Sequence, residues 1–168
     1  LSNKKLSEVL YRNLQTVGPP VFGEDAREFA RKIQENLGFE AMEEPLTEEC
    51  QTIAPIDHID RDIRYKFPAW VTTQGSDDYV DYQWTAPSTR LHTANAVLRN
   101  PDPDKPLPSW TRLAMNGDSP CVDPGIVTAT KTIGVTIVDL LTHPGELAEA
   151  QEEFNERTGG GVGGSKWV

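Results

Sequence analysis

Two amphipathic stripes, each closed by its own stop signal, commit the first 38 residues of this chain to a pair of helices. Leu6, Val9, Leu10, Leu14 and Val17 recur at three- and four-residue steps, which sets them on one helical face. Ser2 or Asn3 can cap that helix, and Gly18-Pro19-Pro20 ends it, because neither residue type continues a helix. The second stripe is Ala26, Phe29, Ala30, Ile33 and Leu37, expected over residues 24–37. Glu24 and Asp25 suit the positive end of its dipole, and Gly38 suits the left-handed residue that follows a helix.

The middle of the chain reads differently. Residues 39–68 show no clear period and carry Glu43, Glu44, Glu48, Glu49, Asp57, Asp60 and Asp62. This pattern predicts an acidic surface connection with short strand pieces, of a length uncommon inside one compact domain. Residues 69–122 read as strands and loops. Thr89 to Leu98 alternates as a strand does, and the proline-rich stretch Asn100 to Pro108 is a loop. Trp110 to Met115 is expected as a further strand, ended by a turn at Asn116-Gly117-Asp118.

Helices return at the end. Asp123 followed by Pro124 has the form of an N-cap and first helical residue. The stretch Ile126 to Leu141 is rich in β-branched residues, but its length and the stripe Ile126, Ile133, Ile137 and Leu141 point to a buried helix. Pro144 opens a last helix from Glu146 to Arg157, with Leu147, Ala150 and Phe154 inward and Thr158-Gly159-Gly160 as its end. Helices at both ends of a strand-rich middle predict an α/β architecture, with helices packed on a small mixed sheet.

Length and charge limit the function. The 168 residues have room for a single domain. With 16 Lys+Arg against 26 Asp+Glu the net charge is −10, which disfavours nucleic acid and anionic membranes as partners. No apolar run approaches the roughly 20 residues that span a bilayer, so a soluble protein is expected. Cys50 and Cys121 match no metal-binding spacing and are expected as free thiols, and the expected compartment is the cytoplasm. The chain opens on Leu1 and closes on Lys166-Trp167-Val168, so both ends are expected to continue into something longer.

The most unusual stretch is Gly75-Ser76-Asp77-Asp78-Tyr79-Val80-Asp81-Tyr82-Gln83-Trp84. Carboxylates as close as Asp77, Asp78 and Asp81 repel one another, which can raise a pKa and produce a general acid or base. The plainer alternative is an acidic turn that opens a short helix, with Asp77 or Asp78 as its cap.

This stretch resembles the Gly-Ser-Thr-Asp-Val-Gly-Asp-Val-Ser-Trp signature of amidohydrolases of the aminobenzoyl-glutamate hydrolase B-subunit type, within the aminoacylase and carboxypeptidase-like metallopeptidases. The resemblance continues in order through Leu91-His92-Thr93-Ala94, Pro108-Ser109-Trp110, Asn116-Gly117-Asp118-Ser119-Pro120 and Pro124-Gly125. It ends with Ala150-Gln151-Glu152-Glu153-Phe154 and the Gly159 to Trp167 tail. The opening, up to Val17-Gly18-Pro19-Pro20, looks like the family segment that re-enters the catalytic domain after the lid.

The resemblance implies that residues 1–168 are the C-terminal part of a catalytic domain, without the lid and the N-terminal metal-binding half. It implies two divalent ions, zinc or manganese, in the complete protein, a small-molecule amide substrate, and self-association through the lid. The family takes one metal ligand, a histidine, from a Gly-His-Ser-Trp context, where this chain has Leu107-Pro108-Ser109-Trp110. Pro108 has no donor atom in its side chain, so no metal is expected on this chain alone.

The cleft candidates are therefore Asp77, Asp78 and Asp81, with His92 on the expected strand as a weaker one. His58 reads as part of the solvated acidic loop and His143 as a helix-terminus residue. The tail satisfies Gly-x-Gly-x-x-Gly at Gly159, Gly161 and Gly164, but it follows a helix rather than opening one, so no dinucleotide site is expected. The function expected is part of an amidohydrolase, inert as this chain alone. The alternative is a non-catalytic relative that keeps the fold for binding or assembly.

Overall fold

A computed structural model describes residues 2–58 and 81–159. Among these residues there are five α-helices: α1 Lys4–Val17, α2 Glu24–Asn36, α3 Ser109–Met115, α4 Ser119–Thr142 and α5 Pro144–Thr158. The chain divides into two compact units. One comprises Leu1–Asn13, Ala54–Leu91 and Ile133–Val168, the other Leu14–Ile53 and His92–Thr132.

The expectation of an α/β architecture with a small mixed sheet is overturned, because the described residues contain no strand. The nearest approach to a sheet is an isolated antiparallel bridge between Leu46 and Leu98. Around it, Thr47 N–H donates to the Val97 carbonyl at 2.9 Å and Arg99 N–H to the Pro45 carbonyl at 2.7 Å. The segment expected as a strand does keep a strand-like alternation, with Ala96 and Leu98 buried and Val97 exposed. Off the bridge, Ala96 N–H donates to the Cys121 carbonyl at 2.8 Å. Alternation marks an extended half-buried segment, and a sheet needs in addition a neighbour of matching length.

The unit that holds residues 14–53 and 92–132 is built on α2. Ala26, Ala30 and Ile33 point inward and pack with Phe22, Leu46, Cys50, Ala96, Leu98, Met115 and Cys121. Each large apolar side chain buried here contributes about 1.5–3 kcal/mol. The end of α2 is a Schellman motif: Phe39 N–H donates to the Gln34 carbonyl at 3.0 Å and Gly38 N–H to the Glu35 carbonyl at 2.9 Å. Gly38 sits at φ +81°, which favours glycine. Gln34 is fully buried, a placement the apolar stripe did not reveal. Its amide donates to the Arg99 carbonyl at 2.9 Å and accepts from Met42 N–H at 2.9 Å, so no polar group is left bare.

Residues 110–115 are helical, which corrects the strand expected there. Leu107 is partly buried and Thr111 and Met115 are buried, a four-residue step that marks a helical face. The Thr111 hydroxyl closes the first turn on the Pro108 carbonyl at 2.8 Å.

The other unit rests on α1, α5 and the last turns of α4. Asn3 caps α1, its side-chain oxygen accepting from Leu6 N–H at 2.9 Å while its amide donates to the Ala150 carbonyl at 2.8 Å. Glu153 completes the cap from α5, accepting from Lys4 N–H at 2.8 Å and Lys5 N–H at 2.9 Å. Burial alone would push the Glu153 carboxyl up. The two backbone N–H groups and Arg157 outweigh that effect and hold it below its ordinary value. Ala150, Phe154 and Thr158 face inward at four-residue steps, but Leu147, expected inward, is exposed.

Helix α4 brings two corrections. It begins at Ser119, a turn before the expected Asp123-Pro124 start, because Pro120 already supplies a proline for its first turn. The stripe Ile126, Ile133, Ile137 and Leu141 does share one helical face, yet all four are exposed. The inward face is instead Cys121, Gly125, Thr128, Thr132 and Thr136. By length and composition α4 is also apolar enough to cross a membrane, which corrects the expectation that no apolar run reaches that length; threonines, glycines and Lys131 interrupt the run and hid it. The core helix of a soluble protein passes the same test.

Candidate functional site

Three of the segments that carry the sequence resemblance, those ending at Ala94, opening at Asn116 and containing Gly125, lie close together. The loop at Ala94-Asn95-Ala96 lies on the first turns of α4 and on the turn that joins α3 to α4. Asn95 Nδ2 donates to Asn116 Oδ1 at 3.0 Å, and the Ala96 N–H bond to the Cys121 carbonyl holds the other side of the loop. At Gly125 the fit is closest: a Cβ there would stand 2.6 Å from the Ala94 carbonyl oxygen and 3.3 Å from Asn95 Oδ1. The glycine in the Pro124-Gly125 pair is thus required by the close approach of another backbone.

Cys121 sits at the base of this junction, fully buried and free. Burial, reinforced by the Asp118 carboxylate 3.7 Å from its Sγ, pushes the thiol up to about 12. A thiol so protonated is a core residue and no nucleophile. Cys50 is likewise free and buried, as the spacing of the two cysteines led us to expect.

The candidates named from sequence fare unequally. Asp77 and Asp78 lie outside the described residues. Asp81 is the first residue of a short 3-10 turn, Asp81–Trp84, so that end of the signature does turn helically. His92 is exposed at the start of the loop that leads to Ala94. Asp81 and His92 belong to different compact units. Pro108 is exposed and takes the N-cap position of α3, with φ −56° and ψ 142°. His143 is the N-cap of α5, in agreement with its reading as a helix-terminus residue.

Among the described residues, no group of three or more His, Cys, Asp or Glu is placed to hold a metal ion. A shallow cleft of about 500 Å³ opens beside the first turns of α2 and α4, lined by Asp25, Asp123 and Lys131 among others. It contains none of the candidates.

A charged cluster in the other unit had no signal in the sequence, because its members are far apart along the chain. Arg12 Nη2 donates to Asp139 at 2.8 Å and to Glu146 at 2.9 Å. Asn13 donates to the same Asp139 carboxylate at 3.1 Å, and the His143 ring stands 2.9 Å from it. The hydrogen bond from Arg12, then that from Asn13, holds the Asp139 carboxyl below its ordinary value. The cluster ties α1, α4 and α5 together within that unit, which is a structural role.

The chain is similar to the B-subunit of p-aminobenzoyl-glutamate hydrolase from Escherichia coli (strain K12), with 23% identity over 168 residues. The match takes in 94% of this chain and 34% of that protein, so the chain spans about a third of the length of the curated relative. This supports a distant relationship. No family model matches the sequence, and no solved structure gives a significant match.

Proposed function

We propose that this chain is part of an amidohydrolase that cleaves an amide bond of an N-acyl or aminobenzoyl amino acid, and that it is inert alone. The observation that carries the reading is the similarity to one polypeptide of a hydrolase along 94% of the chain. The way the loop at Ala94 to Ala96 seats on Asn116, Cys121 and Gly125 supports it, since segments of the resemblance form one piece of packed structure. In this reading Asp77, Asp78 and Asp81 and, secondarily, His92 are the residues whose substitution would alter handling of a small-molecule amide substrate. The catalytic base and most ligands for two divalent ions, zinc or manganese, belong to polypeptide outside these residues. The test is release of the free amine from aminobenzoyl-glutamate and N-acetyl amino acids by the protein isolated from its source, with and without a chelator. Chelator-sensitive release supports the reading, and its absence from a folded protein rejects it.

Pro108 favours a second reading. A proline at the exposed head of α3, where the resemblance calls for a metal-binding histidine, fits a non-catalytic relative that binds without turnover. Saturable binding of the same compounds with no amine released would select it.

A further inference from the structure

The turn between α3 and α4 holds two residues able to react with each other. Asn116 is followed by Gly117, whereas every other asparagine in the chain precedes Lys, Leu, Ala, Pro or Glu. Asparagine is thermolabile because the next backbone nitrogen can attack its side-chain amide. A glycine in second place sets no side chain against that approach. Both residues are exposed, so ammonia can leave and water can enter.

The fold holds this pair unreactive in three ways. As the C-cap of α3, Asn116 has ψ −6°. Ring closure needs its Cβ and the Gly117 nitrogen on the same side of the Cα–C bond, at ψ about −120°, which lies outside the allowed α and β regions. The attacking Gly117 N–H is occupied as well, donating to the Ala114 carbonyl at 3.0 Å. The side chain under attack is held from the loop, because Asn116 Oδ1 accepts from Asn95 Nδ2 at 3.0 Å. That loop is itself pinned by the Ala96 N–H bond to the Cys121 carbonyl and by the close approach of Ala94 to Gly125.

We propose that Asn116-Gly117 is a self-modification site kept closed by the loop at Ala94 to Ala96, and that opening of this junction commits it to aspartate or isoaspartate. The Gly117 nitrogen, its proton lost to water, forms a bond to Asn116 Cγ. The Cγ–Nδ2 bond breaks and ammonia leaves. Water then opens the succinimide ring, at Cγ to give aspartate or at the Asn116 backbone carbonyl to give isoaspartate. Nothing is oxidised or reduced, and water is the sole co-reactant. Either product places a carboxylate at the negative end of α3, with Asp118 directly after the pair. Isoaspartate also adds a methylene to the backbone of the turn on which the loop seats. A junction that has opened in this way does not return to its first state. The inference is independent of the catalytic reading.

The test follows Asn116 by peptide mapping, with isoaspartate resolved from aspartate, in the protein as its source makes it. Samples are held at pH 8, folded and in unfolding urea. Conversion in urea is expected to be at least about tenfold faster, since the folded chain reacts only in the fraction of time that the junction is open. Asn155, exposed and followed by Glu156, is the internal control and is expected to change little in either sample. Asn95→Ala removes one hydrogen bond of the closed state and is expected to speed conversion in the folded protein about fivefold. Gly117→Ala, whose Cβ meets nothing closer than the Leu113 carbonyl oxygen at 3.4 Å, keeps the turn and is expected to lose the product over the same period. Equal rates in folded and unfolded protein, no conversion in urea, or an unchanged rate in folded Asn95→Ala overturns the proposal. Should Asn95→Ala not fold, the comparison of folded with unfolded parent decides alone.

Discussion

Gly125→Ala is the most exacting test of the junction between the loop and α4. The added Cβ would stand 2.6 Å from the Ala94 carbonyl oxygen. Carbon and oxygen in ordinary contact keep about 3.3 Å, so loop or helix must shift by about 0.7 Å. The obstructing atom is backbone, so no rotamer change relieves it. The loop is also pinned next door by Ala96 N–H on Cys121 at 2.8 Å, a bond that such a shift strains. Overpacking costs about 1–3 kcal/mol and the weakened hydrogen bond about 1 kcal/mol, while alanine gains about 1 kcal/mol in helix propensity. The net loss is about 1–3 kcal/mol. Urea unfolding followed by far-ultraviolet circular dichroism measures it, with Gly145→Ala as control because nothing lies within 4 Å of a Cβ there. The control is expected to be neutral or to gain up to about 1 kcal/mol. If the two variants behave alike, the close approach at Gly125 is refuted.

Other expectations follow from single contacts. Leu46→Ala empties a fully buried position in the core and is expected to cost about 2–5 kcal/mol by the same urea assay. Gly38→Ala forces a side chain to φ +81° at the end of α2 and is expected to cost about 1 kcal/mol. Glu153 has its carboxyl lowered in the folded chain, so the stability it adds is present above the ordinary value of 4.5 and is lost as pH falls through the folded value. Glu153→Gln should therefore lower the urea midpoint at pH 7 and flatten its decline in acid; an unchanged pH profile would count against the cap. The Cys121 thiol, pushed up to about 12, should resist a thiol reagent at pH 8 until urea unfolds the protein.

Legibility in the sequence followed how local each signal was. Helix α2 was readable to within one residue of its end, because Ala26, Ala30 and Ile33 bury the expected face and Gly38 ends it by a backbone rule. Helix α5 was equally plain from Pro144 to Gly159, apart from Leu147. Helix α3 was missed because Pro108 reads as the end of a loop. Only the step from Leu107 to Thr111 to Met115 signals the helix, over barely two turns. The face of α4 was read correctly as a stripe and wrongly as inward, since periodicity reports which residues share a face and not what lies against it. Threonines took the inner side there, with Thr132 returning its hydroxyl to the Thr128 carbonyl at 2.8 Å. At the candidate site, the pairing of Ala94 with Gly125 was invisible because it joins positions 31 residues apart.

The chain is proposed to be part of a larger metal-dependent amidohydrolase. The most direct measurement is the intact mass of the protein isolated from its source, with divalent metal determined on the same sample. The expected result is a mass well above 18.6 kDa and about two divalent ions per polypeptide. A mass near 18.6 kDa without metal would contradict it.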